Sequence, residues 1–252
     1  MNKITEERKI FLTEYARLIV KVGVNLQEDQ ILVINTPIEC APFARMIEAA
    51  AFDAGAHDVV MSWNDELAAR IRYGKGKSEI FTEFPAWRKC FYEDYAEQGA
   101  AFVSIAATDP EIFKGIESER MTASKQAAGA ALFAYRARLM SNKNTWCVVS
   151  VPTVGWARKV FPKLTDTAAV DSLYDEIFRT VRIEKGGDAV KNWEKHIAFL
   201  QRAAKFMNDN AFVSLHYTNG LGTDLIIELP KGHIWAGGAE KSTCGTLFAA
   251  NM

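Results

Sequence analysis

The 252-residue sequence has little cysteine, no long apolar tract and no excess of charge of either sign. Each shortfall removes a class of function. Cys40, Cys90, Cys147 and Cys244 lie far apart with no Cys-x-x-Cys pair. Zinc knots and redox motifs need two thiolates close in sequence, so neither is supported. The four read instead as reduced, mostly buried thiols of a cytoplasmic protein. No run reaches the roughly 18 apolar residues of a membrane-crossing helix. The opening Met-Asn-Lys-Ile-Thr-Glu-Glu-Arg-Lys carries basic residues but no apolar core, so it does not read as a signal peptide. Thirty basic against thirty-one acidic residues leave a net charge of −1, without the basic excess of a nucleic-acid binder.

Catalytic motifs are equally scarce. There is no His-Glu-x-x-His, no Gly-x-Ser-x-Gly elbow and no Gly-x-x-x-x-Gly-Lys-Ser/Thr loop. TNGLGTD (218–224) offers only Gly220 and Gly222 of a dinucleotide loop, and a strand follows it where a helix is required, so it reads as a turn. Cys147 sits mid-strand and would be inert when buried. The acidic stretches DELAAR (65–70) and YEDYAE (92–97) read as solvated helix faces. His216 and His233 fall on adjacent expected strands near Glu228 and Glu240. A metal site built within this chain would draw on those four.

What is present is a regular alternation. Residues 5–22 form an amphipathic helix, capped by Thr5, acidic at Glu6 and Glu7, apolar at Phe11, Tyr15, Leu18, Ile19 and Val22, and stopped at Gly23. QILVIN (30–35) is the continuous apolar run of a strand buried on both faces. Helix 41–56, strand 57–63, helices 65–74 and 79–99 (bent or restarted at Pro85), strand 100–107, a helix start at Asp109-Pro110, helix 124–142 and strand 145–152 follow. Such alternation implies right-handed crossovers and an α/β fold, an open, mostly parallel sheet with helices on both faces. Ligands of such sheets bind beyond the strand carboxyl ends, which nominates Thr36, Glu39 and Arg45. No glycine-rich turn is present there, and an ordinary capped helix start is the favoured account of the segment.

The pattern changes after two further helices, 165–183 and 188–208. Apolar runs at 211–217 and 224–229 straddle Asn219-Gly220 and Gly222, as in a hairpin, and HIWAGG (233–238) forms a third run. We divide the chain into residues 1–187 (α/β domain), 188–208 (bridging helix) and 209–252 (the first antiparallel strands of a second, incomplete domain).

LHYTNGLGTDLIIELPKGHIWAGG followed by GTLFAANM resembles the thermophilic-type metallo-aminopeptidases, the family of aminopeptidase T, aminopeptidase S and PepS. In that family a Thr-x-Gly-Thr-Asp-Leu hairpin precedes His-x-Trp-x-Gly-Gly and then Asn-Met/Ile-Pro-Thr-Glu-Glu. The match runs through Asn251-Met252 and stops before Pro-Thr-Glu-Glu. YARLIVKVGVNLQEDQILVI and TVGWARKVFP are similar to the family as well. The resemblance implies release of N-terminal residues from peptides with two divalent metal ions, zinc or cobalt, in a cytoplasmic homodimer whose amino-terminal domain helps wall off the cavity. The family's glutamate, histidine, aspartate and tyrosine ligands match no position here, so no catalytic or metal residue is carried over, and His216, His233 and Glu240 are framework. The expectation is therefore the silent amino-terminal portion of a longer enzyme. A stand-alone α/β module for a small molecule or nucleotide, and a non-catalytic dimer partner, are the alternatives.

Overall fold

The computed structural model describes residues 5–252. Helix α1 (Glu6–Leu18) begins where the Thr5 hydroxyl accepts the Arg8 amide at 3.2 Å, with Glu6 and Glu7 in the first turn. It runs on through a wider π turn, Ile19–Gly23. The alternation then proceeds as β1 (Ile31–Pro37), α2 (Ala41–Asp53), β2 (Asp58–Asn64), α3 (Glu66–Lys75), α4 (Ala86–Glu97), β3 (Ala101–Ile105), α5 (Ser118–Ala131), α6 (Phe133–Met140) and β4 (Trp146–Val149). The four strands form one parallel sheet in the order β2-β1-β3-β4.

Successive side chains of a strand point to opposite faces, and β1 uses both. Leu32 and Ile34 join one core with Leu12, Tyr15 and Ile47, while Val33 joins another with Tyr92, Phe102 and Tyr135. All three β1 side chains are fully buried. Each contributes about 1.5–3 kcal/mol by leaving water, which is why the strand carries no polar residue between Ile31 and Ile34. Helices α7 (Val154–Val160), α8 (Asp166–Thr180) and α9 (Ala189–Asn210) complete the first core. Trp193 of α9 is buried there and donates its indole NH to the Val181 carbonyl at 2.7 Å.

Beyond α9 the chain turns antiparallel. β5 (Ser214–Thr218) pairs with β6 (Asp224–Glu228), and β7 (Glu240–Lys241) with β8 (Leu247–Phe248). The Asn219 side chain builds the turn, accepting the Leu221 and Thr223 amides at 2.9 and 3.1 Å. Residues 249–252 then return to the first sheet. Val148 donates to the Ala250 carbonyl at 2.8 Å, and Met252 donates to the Val148 carbonyl at 3.1 Å, so the segment runs parallel along β4. The edge there is covered, and Phe248, Ala249 and Ala250 are buried.

Three expected elements differ. Residues 109–116 form turns in place of a helix. Arg70 of α3 captures the Ile112 and Lys114 carbonyls, Phe113 packs edge-on to Tyr73 at 5.5 Å, and Gly115 takes φ 80°. The expected helix 124–142 starts earlier, at Ser118, and breaks at Leu132, whose ψ of 17° turns its side chain into the second core. HIWAGG is not a strand, because the Asn208 side chain takes both backbone groups of Trp235, at 2.8 and 2.9 Å. Near Pro85 the chain restarts, with a single 3-10 turn at Ser78–Phe81 before α4.

Candidate functional site

The strand order reverses between β1 and β3, so the crevice of this sheet lies beyond their carboxyl ends. Thr36 is there but fully buried, and its hydroxyl is spent on the neighbouring Pro37 carbonyl at 3.0 Å. Glu39 lies exposed on the single turn Ile38–Cys40, and Arg45 lies exposed on α2. The three share no hydrogen bond or ion pair among the described residues. Cys40 is buried between them, and burial, then the Glu39 and Glu66 carboxylates, push its thiol up to about 12. It stays protonated at neutral pH, so it is not a nucleophile.

The segment 106–117 follows β3 and is held from two sides. From α3, Glu66 accepts the Asp109 amide at 3.2 Å and Arg70 holds the carbonyls named above. From α7, Lys159 pairs with Glu111 at 2.9 Å. The Asp109 carboxyl lies against the bare Cα of Gly155, where an added Cβ would stand 2.2 Å from Cγ. Glu66 and Asp109 were not legible as partners. DELAAR reads as a solvated face, and only the glycine inside TVGWARKV hints that something approaches that helix closely.

The four candidate metal ligands are held by different partners. His216 Nε2 meets the Asp224 carboxylate within the β5–β6 hairpin, opposite Ile226. His233 Nδ1 meets the Pro230 carbonyl at 2.8 Å, and its ring stands edge-on to Trp235 at 5.9 Å. Glu240 accepts the Asn142 amide at 2.7 Å, and Glu228 faces Ser214 across the hairpin. Among the described residues no group of three or more His, Cys, Asp or Glu side chains is placed to hold a metal ion. Of the cysteines, Cys40 and Cys147 are buried while Cys90 and Cys244 are exposed, which corrects the expectation of mostly buried thiols, and all four are free. Among the described residues no helix is long and apolar enough to cross a membrane.

A parallel sheet covered on both faces is followed by one long helix and then by antiparallel hairpins. Residues 8–252 match the model of the family described as thermophilic metalloprotease (M29), and the chain belongs to that family. It is 40% identical over 252 residues to "Aminopeptidase 2" of Geobacillus stearothermophilus, covering 100% of this chain and 60% of that protein. It is 38% identical over 241 residues to "Aminopeptidase AmpS" of Bacillus subtilis, covering 96% and 58%. Among solved structures, wild-type AmpT from Thermus thermophilus superposes with a TM-score of 0.88 at 30% identity, covering 96% of this chain and 59% of that one. The chain thus spans about 60% of the length of the curated relatives it matches. The family is one of metalloproteases, yet the donor set present here does not fit a metal centre. Among the described residues His216, His233 and Glu240 are engaged by three different partners, Asp224, the Pro230 carbonyl and Asn142.

Proposed function

We propose that this chain serves a metal-dependent aminopeptidase as its amino-terminal part, in a reaction that releases N-terminal amino acids from peptides. Residues 1–187 are the α/β domain, 188–208 the bridge, and 209–252 the beginning of the domain that carries the chemistry. The ligands for two divalent ions, zinc or cobalt, lie outside these residues, and the 252 residues alone are catalytically silent. The carrying observation is a family match along residues 8–252 in a chain that spans about 60% of the length of its relatives. The proposed setting is a cytoplasmic homodimer with peptides as substrates, the α/β domain walling the cavity.

The test is hydrolysis of a chromogenic aminoacyl substrate by the 252-residue chain with added zinc or cobalt, alongside a count of bound metal. No turnover and no stoichiometric metal are expected. Metal-dependent turnover lost in His216→Ala or His233→Ala would overturn the silent reading. Light scattering on the same sample tests the dimer, and monomer alone at micromolar concentration would remove it.

A further inference from the structure

One cavity is lined by none of the candidate residues named above. It has a volume of about 560 Å3 and lies between α1, the end of α8 and the start of α9. That is within the usual range of roughly 300–1,000 Å3 for small-molecule sites. Its apolar part is formed by Phe11 and Phe178, which meet edge-on at 5.2 Å, and by Ile183. Charges of both signs line the rest. The spacing of α8 places Asp175 and Phe178 three residues apart on one side of the helix, Arg182 follows in the turn beyond its end, and Lys195 lines the cavity from α9.

Which charges are free decides what the cavity can hold. Arg179 is committed to Glu176, and Glu184 accepts the Asn192 amide at 3.1 Å. Among the described residues Asp175, Arg182, Lys195 and Glu184 have no ion-pair partner, since the Asn192 amide that Glu184 accepts is neutral. Arg182 is nonetheless fixed in place. Its backbone sits at φ 58°, its guanidinium donates to the Thr180 carbonyl at 2.7 Å, and the group stacks 5.5 Å over the Trp193 ring. Its unneutralised charge is felt on its far side, where partial burial and then Arg182 hold His196 below the ordinary histidine range. An apolar floor with two unpaired cations, and with the unpaired carboxylates of Asp175 and Glu184, is complementary to a zwitterion with an apolar side chain.

We propose that this cavity binds a free amino acid with an apolar side chain. Its carboxylate meets Arg182 and Lys195, its ammonium meets Asp175, and its side chain lies on Phe11, Phe178 and Ile183. Such a molecule belongs to the class that an aminopeptidase releases. Only that physiological meaning rests on the proposed activity. The binding itself needs no catalysis, so calorimetry on the chain tests it whether or not the peptidase reading holds.

Leucine is the probe, titrated into the 252-residue chain, with leucinamide and 4-methylpentanoate as controls that each lack one charge. Saturable binding of leucine is expected, with each control weaker by about tenfold or more, the scale of one charge-assisted hydrogen bond. Asp175 and Lys195 are both exposed, so Asp175→Asn and Lys195→Met leave the fold intact, verified by an unchanged melting temperature. Each is expected to weaken leucine by a similar factor. Three outcomes overturn the proposal: no binding at millimolar leucine, controls that bind as tightly as leucine, or variants that bind as the unmodified chain does. Displacement of leucine by inorganic phosphate at equal concentration would also overturn it, since the site would then be a general anion site.

Discussion

Gly155→Ala puts the packing of segment 106–117 to a quantitative test. A methyl at position 155 would stand 2.2 Å from Asp109 Cγ and 2.3 and 2.6 Å from its two oxygens, whereas ordinary contact begins at 3.4 Å. The carboxyl must therefore retreat by roughly 1 Å or more, against the hydrogen bond from the Glu111 amide to Asp109 Oδ1 at 2.9 Å. Overpacking of this kind costs about 1–3 kcal/mol. Asp109→Ala alone loses that hydrogen bond, about 0.5–1.5 kcal/mol. The double variant has no carboxyl left to displace, so its cost should be close to that of Asp109→Ala, a coupling of about 1–3 kcal/mol, the whole cost of Gly155→Ala. Urea unfolding followed by tryptophan fluorescence measures all three. Costs that add to within about 0.5 kcal/mol, or a neutral Gly155→Ala, would refute the contact.

Two further expectations follow from single groups. With a thiol-reactive chromogenic disulfide, Cys90 and Cys244 should react at once, and Cys40 and Cys147 only after unfolding. Burial raises both inner thiols; four fast cysteines would contradict the packing. Asp188 caps α9 through the Val190 and Lys191 amides and pairs with Arg17 at 3.0 Å, and the Arg17 hydrogen bond is the first cause holding it below the usual carboxylate range. Its folded pKa lies below its unfolded one, near 3.9. Its contribution is therefore complete at neutral pH and lost as pH falls through the folded value. Asp188→Ala should lower the melting temperature at pH 7, Asp188→Asn less so because it can still cap, and both gaps should close in strong acid. A gap that widens on acidification would contradict the pairing.

Legibility in the sequence followed the range of the forces involved. QILVIN declared a doubly buried strand, because burial on both faces forbids polar residues locally. Thr5 and Asn219 declared a cap and a turn, because each bonds backbone only a few residues away. The misread segments were all decided at a distance. Asp109-Pro110 is a sound helix start, but Arg70 reaches it across 42 residues and takes the carbonyl of Ile112 that the helix would need. HIWAGG has the composition of a strand, but Asn208 occupies the backbone of Trp235 from 27 residues away. In both cases one side chain satisfied the backbone more locally in space than the regular element could have done.

The same distinction governs the sites. Residues were nominated by type and by nearness in the chain, which gathered His216, Glu228, His233 and Glu240 because they share one stretch. The hairpin pairs His216 with Asp224 and turns Glu240 toward Asn142, and proximity in sequence brought no donor set together. The amino-acid cavity is the converse. Phe11, Asp175 and Lys195 come from three helices and Arg182 from the turn after α8, and none carries a motif. Their chemistry becomes visible only when pairing is resolved, because Arg179 is neutralised by Glu176 while Asp175, Arg182, Glu184 and Lys195 keep unpaired charge. A composition balanced to a net charge of −1 conceals such a residue of unpaired charge completely. What a folded chain can bind is set by the groups its own packing leaves unspent, and here those groups match a zwitterion better than a metal.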